Sequence, residues 1–125
     1  MESSKKISSF TDLYVWQEAH KLVLMMYRET KSFPKEELYS LTDQIKRAAM
    51  SITNNIAEGF GRKTYKDKAY FYYLAFGSIS ELQNQLLIAR DLKYISSAKF
   101  EELMNQQVIV SKLLQGITKK SKSFI

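Results

Sequence analysis

Residues 51–62, SITNNIAEGFGR, contain the side chains whose types and spacing come closest to a chemical site. Asn54, Asn55 and Glu58 lie beside a stripe of isoleucines at helical spacing, and Arg62 follows two glycines expected to end the helix. Amides, a carboxylate and a guanidinium so arranged could form a polar contact site. They could also form a structural network that fixes the register of neighbouring helices, because buried polar groups need partners.

The structural interpretation, which we favour, predicts a polar network across the bundle. Its members are Arg47, Asn54, Asn55, Glu58 and Glu81, with Arg47 of the second helix paired to Glu81 of the third. A fully satisfied network of this kind specifies one packing arrangement among several alternatives.

The residues needed for common catalytic sites are missing. The chain has no cysteine and a single histidine, His20, so nucleophilic catalysis lacks its usual groups. A di-metal helical bundle requires repeated Glu-x-x-His motifs, and Gln17 stands three residues before His20. The sequence therefore predicts a protein that is not an enzyme, with no catalytic residue, no metal and no cofactor.

A second candidate site is basic. It comprises six side chains around the second helix and the loop after it: Lys46, Arg47, Arg62, Lys63, Lys66 and Lys68. Further lysines follow near the end of the chain, and the net charge of the whole chain is +6. Such a surface attracts anionic partners, which predicts contacts with nucleic-acid phosphates, RNA or DNA. A surface that only keeps the protein soluble is the alternative interpretation.

Residues 70–76, YFYYLAF, are apolar around the whole circumference of a helix. Because a bundle helix needs only one apolar stripe, the run predicts burial of a second face in a homo-oligomer. The predicted interface consists of Tyr70, Phe71, Tyr72, Tyr73 and Phe76, and a platform for base stacking is the alternative. Gly77 follows directly, and we interpret this mid-helix glycine as a point of close helix packing.

Hydrophobic periodicity predicts the elements that position these residues. Apolar side chains at spacings of three and four indicate helices over residues 12–32, 35–59, 66–92 and 97–118. Gly59 is the expected C-terminal cap of the second helix, and the basic tail after residue 118 is expected to fray. Short connections make neighbouring helices antiparallel. The fold prediction is an all-α, up-and-down four-helix bundle in one domain, residues 1–125.

Composition also bears on location. Absence of cysteine favours a reducing cytoplasm. No apolar run approaches the roughly 20 residues that span a bilayer, so no membrane association is expected.

Three segments of the chain together resemble a known family. They are LYVWQEAHKLVLMMYRET at 13–30, FPKEELYSLTDQIKRAAMSITNNIAEGFGRKT at 33–64 and FYYLAFGSISELQNQLLIARDLKYI at 71–95. In this order they resemble the four-helix-bundle proteins encoded in intervening sequences of bacterial 23S ribosomal RNA genes, also labelled ribosomal-protein-like. That family is related to the accessory variability proteins of diversity-generating retroelements. Thr53 stands where the family usually has proline.

The resemblance implies a homopentamer around a central channel, a basic surface that binds nucleic acid, and no catalysis. A second hypothesis is a protein-interaction scaffold that docks a partner such as a reverse transcriptase, with no nucleic-acid function of its own. The two hypotheses differ in whether binding of nucleic acid requires a second protein.

Overall fold

The helical periodicity of the sequence corresponds to four long α-helices in the computed structural model, which describes residues 6–125. They are α1 (Tyr14–Thr30), α2 (Leu41–Gly61), α3 (Tyr65–Asp91) and α4 (Ser97–Lys122). Each packs against the next, and α4 returns to pack against α1. No strand occurs in this range, so the all-α prediction is confirmed. The predicted domain begins at residue 1, and residues 1–5 lie outside the described range.

The core of the bundle is formed by one apolar stripe from each helix. Its fully buried large side chains come from all four helices: Leu22, Met26, Ile45, Ile52, Ile56, Tyr72, Leu82, Leu86, Leu103, Val110 and Leu114. Burying each such side chain contributes about 1.5–3 kcal/mol, and this term holds the helices together. None of the helices in the described chain combines the length and apolar character that crossing a bilayer requires.

The predicted start of the second helix at residue 35 is wrong, because α2 begins at Leu41. Pro34 instead precedes a short 3₁₀ helix, Lys35–Glu37. The Glu37 carboxylate accepts hydrogen bonds of 2.8 Å from the hydroxyls of Ser40 and Tyr94. Tyr94 belongs to the turn between α3 and α4, and its bond is the main cause that lowers the pKa of Glu37. This contact between distant segments holds Glu37 outside the helix.

The other predicted helix ends need smaller corrections. Ser9 caps a 3₁₀ turn over Phe10–Asp12, so α1 begins at Tyr14 instead of residue 12, and it ends at Thr30. The last helix continues to Lys122 rather than ending at residue 118. The tail predicted to fray is thus mostly helical, and the ring of Phe124 packs on that of Tyr65 with centroids 4.8 Å apart. Thr64 caps α3 and Ser96 caps α4, each by accepting a hydrogen bond from the backbone N–H three residues further along.

Gly59 is not the cap of α2, since the helix continues through it to Gly61. Gly59 is buried, and a Cβ atom there would lie 2.6 Å from Cε1 of Tyr72 and 3.2 Å from Cβ of Phe71. The missing side chain therefore allows α3 to approach the backbone of α2. This is a packing role for glycine, distinct from the conformational role that the sequence suggested.

We expect Gly59→Ala to lower the free energy of unfolding by about 1–3 kcal/mol, because the new methyl group overpacks a site closed by a buried ring. Gly116→Ala is the matched control, since open space surrounds its Cβ position within α4. The control should stabilise the protein by about 0.5–1 kcal/mol through helix propensity. Thermal unfolding of both variants checks the pair, and equal stability of the two would contradict the close approach at Gly59.

Gly77, predicted to mark close packing between helices of the bundle, faces open space instead. It is exposed on α3, and no described residue of another helix approaches its Cβ position within 4 Å. The polar side chain after it makes the helix contact, since the hydroxyl of Ser78 lies 2.7 Å from that of Ser51 on α2. The glycine therefore has no packing partner among residues 6–125.

Candidate nucleic-acid interface

The loop between α2 and α3 is short and held at both ends. Arg62 caps α2, with its backbone N–H bonded to the carbonyl of Gly59 at 3.2 Å. Thr64 caps α3 by accepting a hydrogen bond from the backbone N–H of Asp67 at 3.1 Å. Lys63 and Lys66 are exposed and form no ion pair with any described residue. The loop and the first turn of α3 thus present two ammonium groups, those of Lys63 and Lys66, on a fixed backbone.

Lys68, predicted to contact nucleic acid, instead has a structural role. Its ammonium group donates to the carbonyl oxygens of Phe60 and Gly59, at 2.5 Å and 3.4 Å. These carbonyls lie in the last turn of α2, where i+4 backbone donors are missing, and that of Gly59 also accepts the hydrogen bond from the backbone N–H of Arg62. Burial lowers the pKa of Lys68, as expected for an ammonium group partly withdrawn from water. Lys68 stabilises the end of α2 and is not free to bind a phosphate.

Arg62 is shared between two neighbours. Its guanidinium pairs with the Glu58 carboxylate at 3.0 Å and lies over the ring of Phe71, 4.5 Å from the centroid. Both the carboxylate and the guanidinium are about half exposed, so the pair contributes little to stability. A phosphate approaching Arg62 must compete with Glu58, which makes Arg62 a weaker phosphate ligand than its exposed lysine neighbours.

Lys46 and Arg47 do not belong to the same surface as the loop, contrary to the grouping predicted from the sequence. They precede Arg62 by about four turns of α2, which corresponds to about 22 Å along the helix axis. Lys46 lies over the ring of Tyr27, and Arg47 pairs with Asp43 at 2.8 Å. The six predicted cations therefore separate into a loop group and a distant pair on the side of α2.

The antiparallel topology brings a second group of lysines to the loop. The C-terminal end of α4 lies beside the N-terminal end of α3, as the contact between Tyr65 and Phe124 shows. We call the resulting surface the basic end, defined as Arg62, Lys63, Lys66, Lys68, Lys119, Lys120 and Lys122. The lysines of α4 were outside the predicted site. The up-and-down topology predicted from the sequence places the end of α4 beside the α2–α3 loop, and this could have been used to add these lysines to the predicted site.

Charge is distributed unevenly between the two ends of the bundle. Acidic side chains described at or within about one turn of the basic end are Asp12, Glu18, Glu58 and Asp67; Glu18 pairs with Lys21 and Glu58 with Arg62. The opposite end carries basic and acidic side chains in nearly equal number: Arg28, Lys31, Lys35, Arg90, Lys93 and Lys99 with Glu29, Glu36, Glu37, Asp43, Asp91, Glu101 and Glu102. The excess positive charge of the chain is therefore concentrated at the basic end.

The predicted polar network is only partly formed. Arg47 pairs with Asp43 along its own helix rather than with Glu81, because both partners of the local pair are exposed one turn apart. Asn55 donates to the backbone and hydroxyl oxygens of Ser51, at 2.9 Å and 3.2 Å. Through the Ser51–Ser78 contact, Asn55 joins the polar link between α2 and α3.

The other three members of the predicted network are exposed and do not contribute to that link. Glu81 and Asn54 are exposed and have no ion pair or side-chain hydrogen bond with another described residue. Glu58 makes only the surface pair with Arg62. Asn54, Glu58 and Gly61 line an open depression on the outer side of α2. The polar link between α2 and α3 thus consists of serine hydroxyls and an amide instead of the predicted Arg47–Glu81 ion pair.

The aromatic run divides between core and surface. Tyr72 is only 2% exposed and belongs to the core, so its assignment to an oligomer interface is wrong. Burial also raises the pKa of Tyr72 to about 12. Tyr70 and Tyr73 are exposed, whereas Phe71 and Phe76 are half-buried. A helix has room for only one of four consecutive aromatic residues on its core face, and Tyr72 is the one in register with the buried Ala75 and Ile79 of α3.

The described part of the chain offers little to a metal ion. Residues 6–125 contain no group of three or more histidine, cysteine, aspartate or glutamate side chains that could hold one. His20 is exposed and stacks on Trp16, with ring centroids 4.7 Å apart and planes 14° from parallel. The imidazole therefore packs against an aromatic ring on the surface.

Comparisons with known proteins place this bundle in a family. No curated protein is significantly similar in sequence. A crystal structure of a protein of unknown function from the S23 ribosomal protein family of Bacteroides thetaiotaomicron superposes with a TM-score of 0.78. The match has 23% sequence identity and covers 84% of this chain and 95% of that chain, so it supports the fold. The model of the 23S rRNA-intervening sequence proteins matches residues 11–116, and the chain belongs to that family.

Proposed function

We propose that this protein is a non-enzymatic nucleic-acid-binding protein that contacts phosphates through its basic end. The observation that carries the proposal is the convergence of lysines from the α2–α3 loop and from α4 at one end of a bundle whose other end is balanced in charge. A family name that refers to a segment within 23S rRNA supports nucleic acid as the anionic partner.

The basic end supports contacts with phosphates rather than with base edges. Lysine ammonium groups are point charges that neutralise phosphates without selecting a sequence. The first turn of α3 adds little to these contacts, because Thr64 occupies one of its backbone donors and Asp67 adds a negative charge. Binding is therefore expected to be weakly sequence-specific and strongly dependent on salt.

Replacing three free lysines tests the location of the surface. We expect the triple variant Lys63→Ala, Lys66→Ala, Lys119→Ala to bind structured RNA and duplex DNA more weakly. The slope of log affinity against log salt should fall by about 2 to 3, because each duplex phosphate contact contributes about 0.9. Fluorescence anisotropy of labelled nucleic acid, titrated at several salt concentrations, measures both quantities.

The matched control is the double variant Lys31→Ala, Lys35→Ala at the opposite end of the bundle. Both lysines are exposed and form no ion pair with described residues, as at the basic end. The control should retain wild-type affinity and salt slope. Equal losses in the two variants would place the binding surface elsewhere and contradict the proposal.

We also propose that the protein self-associates through the outer face of α3, with five subunits as the number that the family resemblance implies. This face is a line of exposed residues at helical spacing: Tyr70, Tyr73, Gly77, Glu81, Asn84 and Ile88. Exposed tyrosines are frequent interface anchors. An exposed glycine within a helix costs roughly 1 kcal/mol relative to alanine, and close approach of a second copy would explain its presence.

A further inference from the structure

The aromatic rings at the basic end have accessible surface. Tyr65 is 44% exposed and Phe124 is 57% exposed, although the two rings touch each other. Their planes are inclined by 31°, so neither ring fully covers the other. Lys63 and Lys66 flank Tyr65 in sequence, and Lys122 precedes Phe124 by two residues. Apolar ring surface is thus placed directly among free positive charges.

A second aromatic residue lies on the same side of α3. Phe76 follows Tyr65 by eleven residues, which is three helical turns, so both lie on one face about 16 Å apart. Phe76 lines a groove of about 280 Å³ between α3 and α4, together with Gln115, Thr118, Lys119 and Lys122. The groove therefore extends the lysine-flanked aromatic surface away from the end of the bundle.

Aromatic rings interleaved with lysines have the chemistry that binds single strands, in which bases are free to stack and phosphates follow the cations. A duplex hides its base faces inside its own stack and presents phosphates alone. A surface that used only charge would bind a duplex at least as well, because the duplex has the higher charge density. The distance of about 16 Å between Tyr65 and Phe76 corresponds to about five nucleotides at a stacked spacing of about 3.4 Å.

We propose that the basic end binds single-stranded nucleic acid, with bases stacked on Tyr65, Phe124 and Phe76 and phosphates held by Lys66, Lys119 and Lys122. The proposal rests on the proposed function and specifies its substrate class. Single-stranded RNA and single-stranded DNA share the required chemistry.

Binding of a labelled oligonucleotide of about 12 nucleotides, as a single strand and as a duplex of the same sequence, tests this inference. We expect the single strand to bind at least about fivefold more tightly, because stacking contributes a factor of this size or more for each base. Parallel titrations with RNA and DNA strands show whether the surface prefers ribose or deoxyribose. Tight binding of either single strand supports the proposal.

Substitution of the rings tests their role directly. The double variant Tyr65→Leu, Phe124→Leu retains apolar contact between α3 and the tail but removes the π faces. We expect it to lose at least about fivefold in single-strand affinity, with an unchanged salt slope and unchanged duplex binding. Tyr65→Phe should bind as the wild type does. Phe76→Leu, three helical turns from Tyr65 along α3, should also weaken single-strand binding.

The matched control is Tyr39→Leu, because Tyr39 is 90% exposed at the opposite end of the bundle and should not affect binding. Equal affinity for duplex and single strand, with no effect of the leucine variants, would overturn the inference and leave the proposed function intact. Failure to bind either form would overturn both.

Discussion

Tyr72→Ala is expected to lower the free energy of unfolding by about 3–5 kcal/mol, the range typical for removal of a buried aromatic side chain. The ring of Tyr72 is 2% exposed and fills the space opposite Gly59, so truncation leaves a cavity between α2 and α3. This loss is a large part of the total stability of a domain of this size. Chemical denaturation monitored by circular dichroism measures it.

The same substitution at Tyr39 is the control for this prediction. Tyr39 is 90% exposed, and Tyr39→Ala should change the free energy of unfolding by less than about 0.5 kcal/mol. A Tyr72→Ala protein as stable as the control would show that the ring is not part of the core. The assignment of Tyr72 to an oligomer interface would then be restored.

Under the proposed self-association through α3, Tyr73→Glu is expected to give a folded monomer. Tyr73 is 70% exposed on the outer face of α3, so the bundle itself does not depend on its ring. A carboxylate buried between two copies would lack a partner, and an unpaired buried charge is strongly unfavourable. Light scattering coupled to gel filtration gives the mass, which for one chain is 14.6 kDa.

Gly77→Leu probes the same interface sterically, because its side chain enters space that is open in the single chain. Tyr39→Glu is the charge-matched control and should leave the mass of the assembly unchanged. A wild-type protein that is already monomeric at concentrations on the order of micromolar would contradict self-association. An assembly that survives both α3 variants would place the interface on another face.

Local patterns were sufficient for the parts of the fold that depend on local interactions. The period of apolar residues located α3 within one residue at each end. The start of α2 could not be predicted in this way. Glu36 and Glu37 resemble a first helical turn, but Glu37 is held by Tyr94, which lies 57 residues further along the chain.

The candidate site shows the same division between local and tertiary causes. Lysines could be counted from the sequence, but the role of Lys68 depends on carbonyl groups that become available only where α2 ends. Among the four neighbouring aromatic residues, Tyr72 is in register with the buried Ala75 and Ile79, so the period of α3 could have identified it as the core residue. The composite basic end required the topology, since its lysines come from two distant segments.

The most direct test of the account is the affinity of the wild-type protein for labelled structured RNA at about 50 and 200 mM salt. The basic end has five lysines free of ion pairs with described residues: Lys63, Lys66, Lys119, Lys120 and Lys122. If all five contact phosphates, affinity should fall at least about 500-fold between the two concentrations, at a slope of about 0.9 per contact. Absence of binding at either concentration, or binding that salt does not weaken, would contradict phosphate recognition by the basic end.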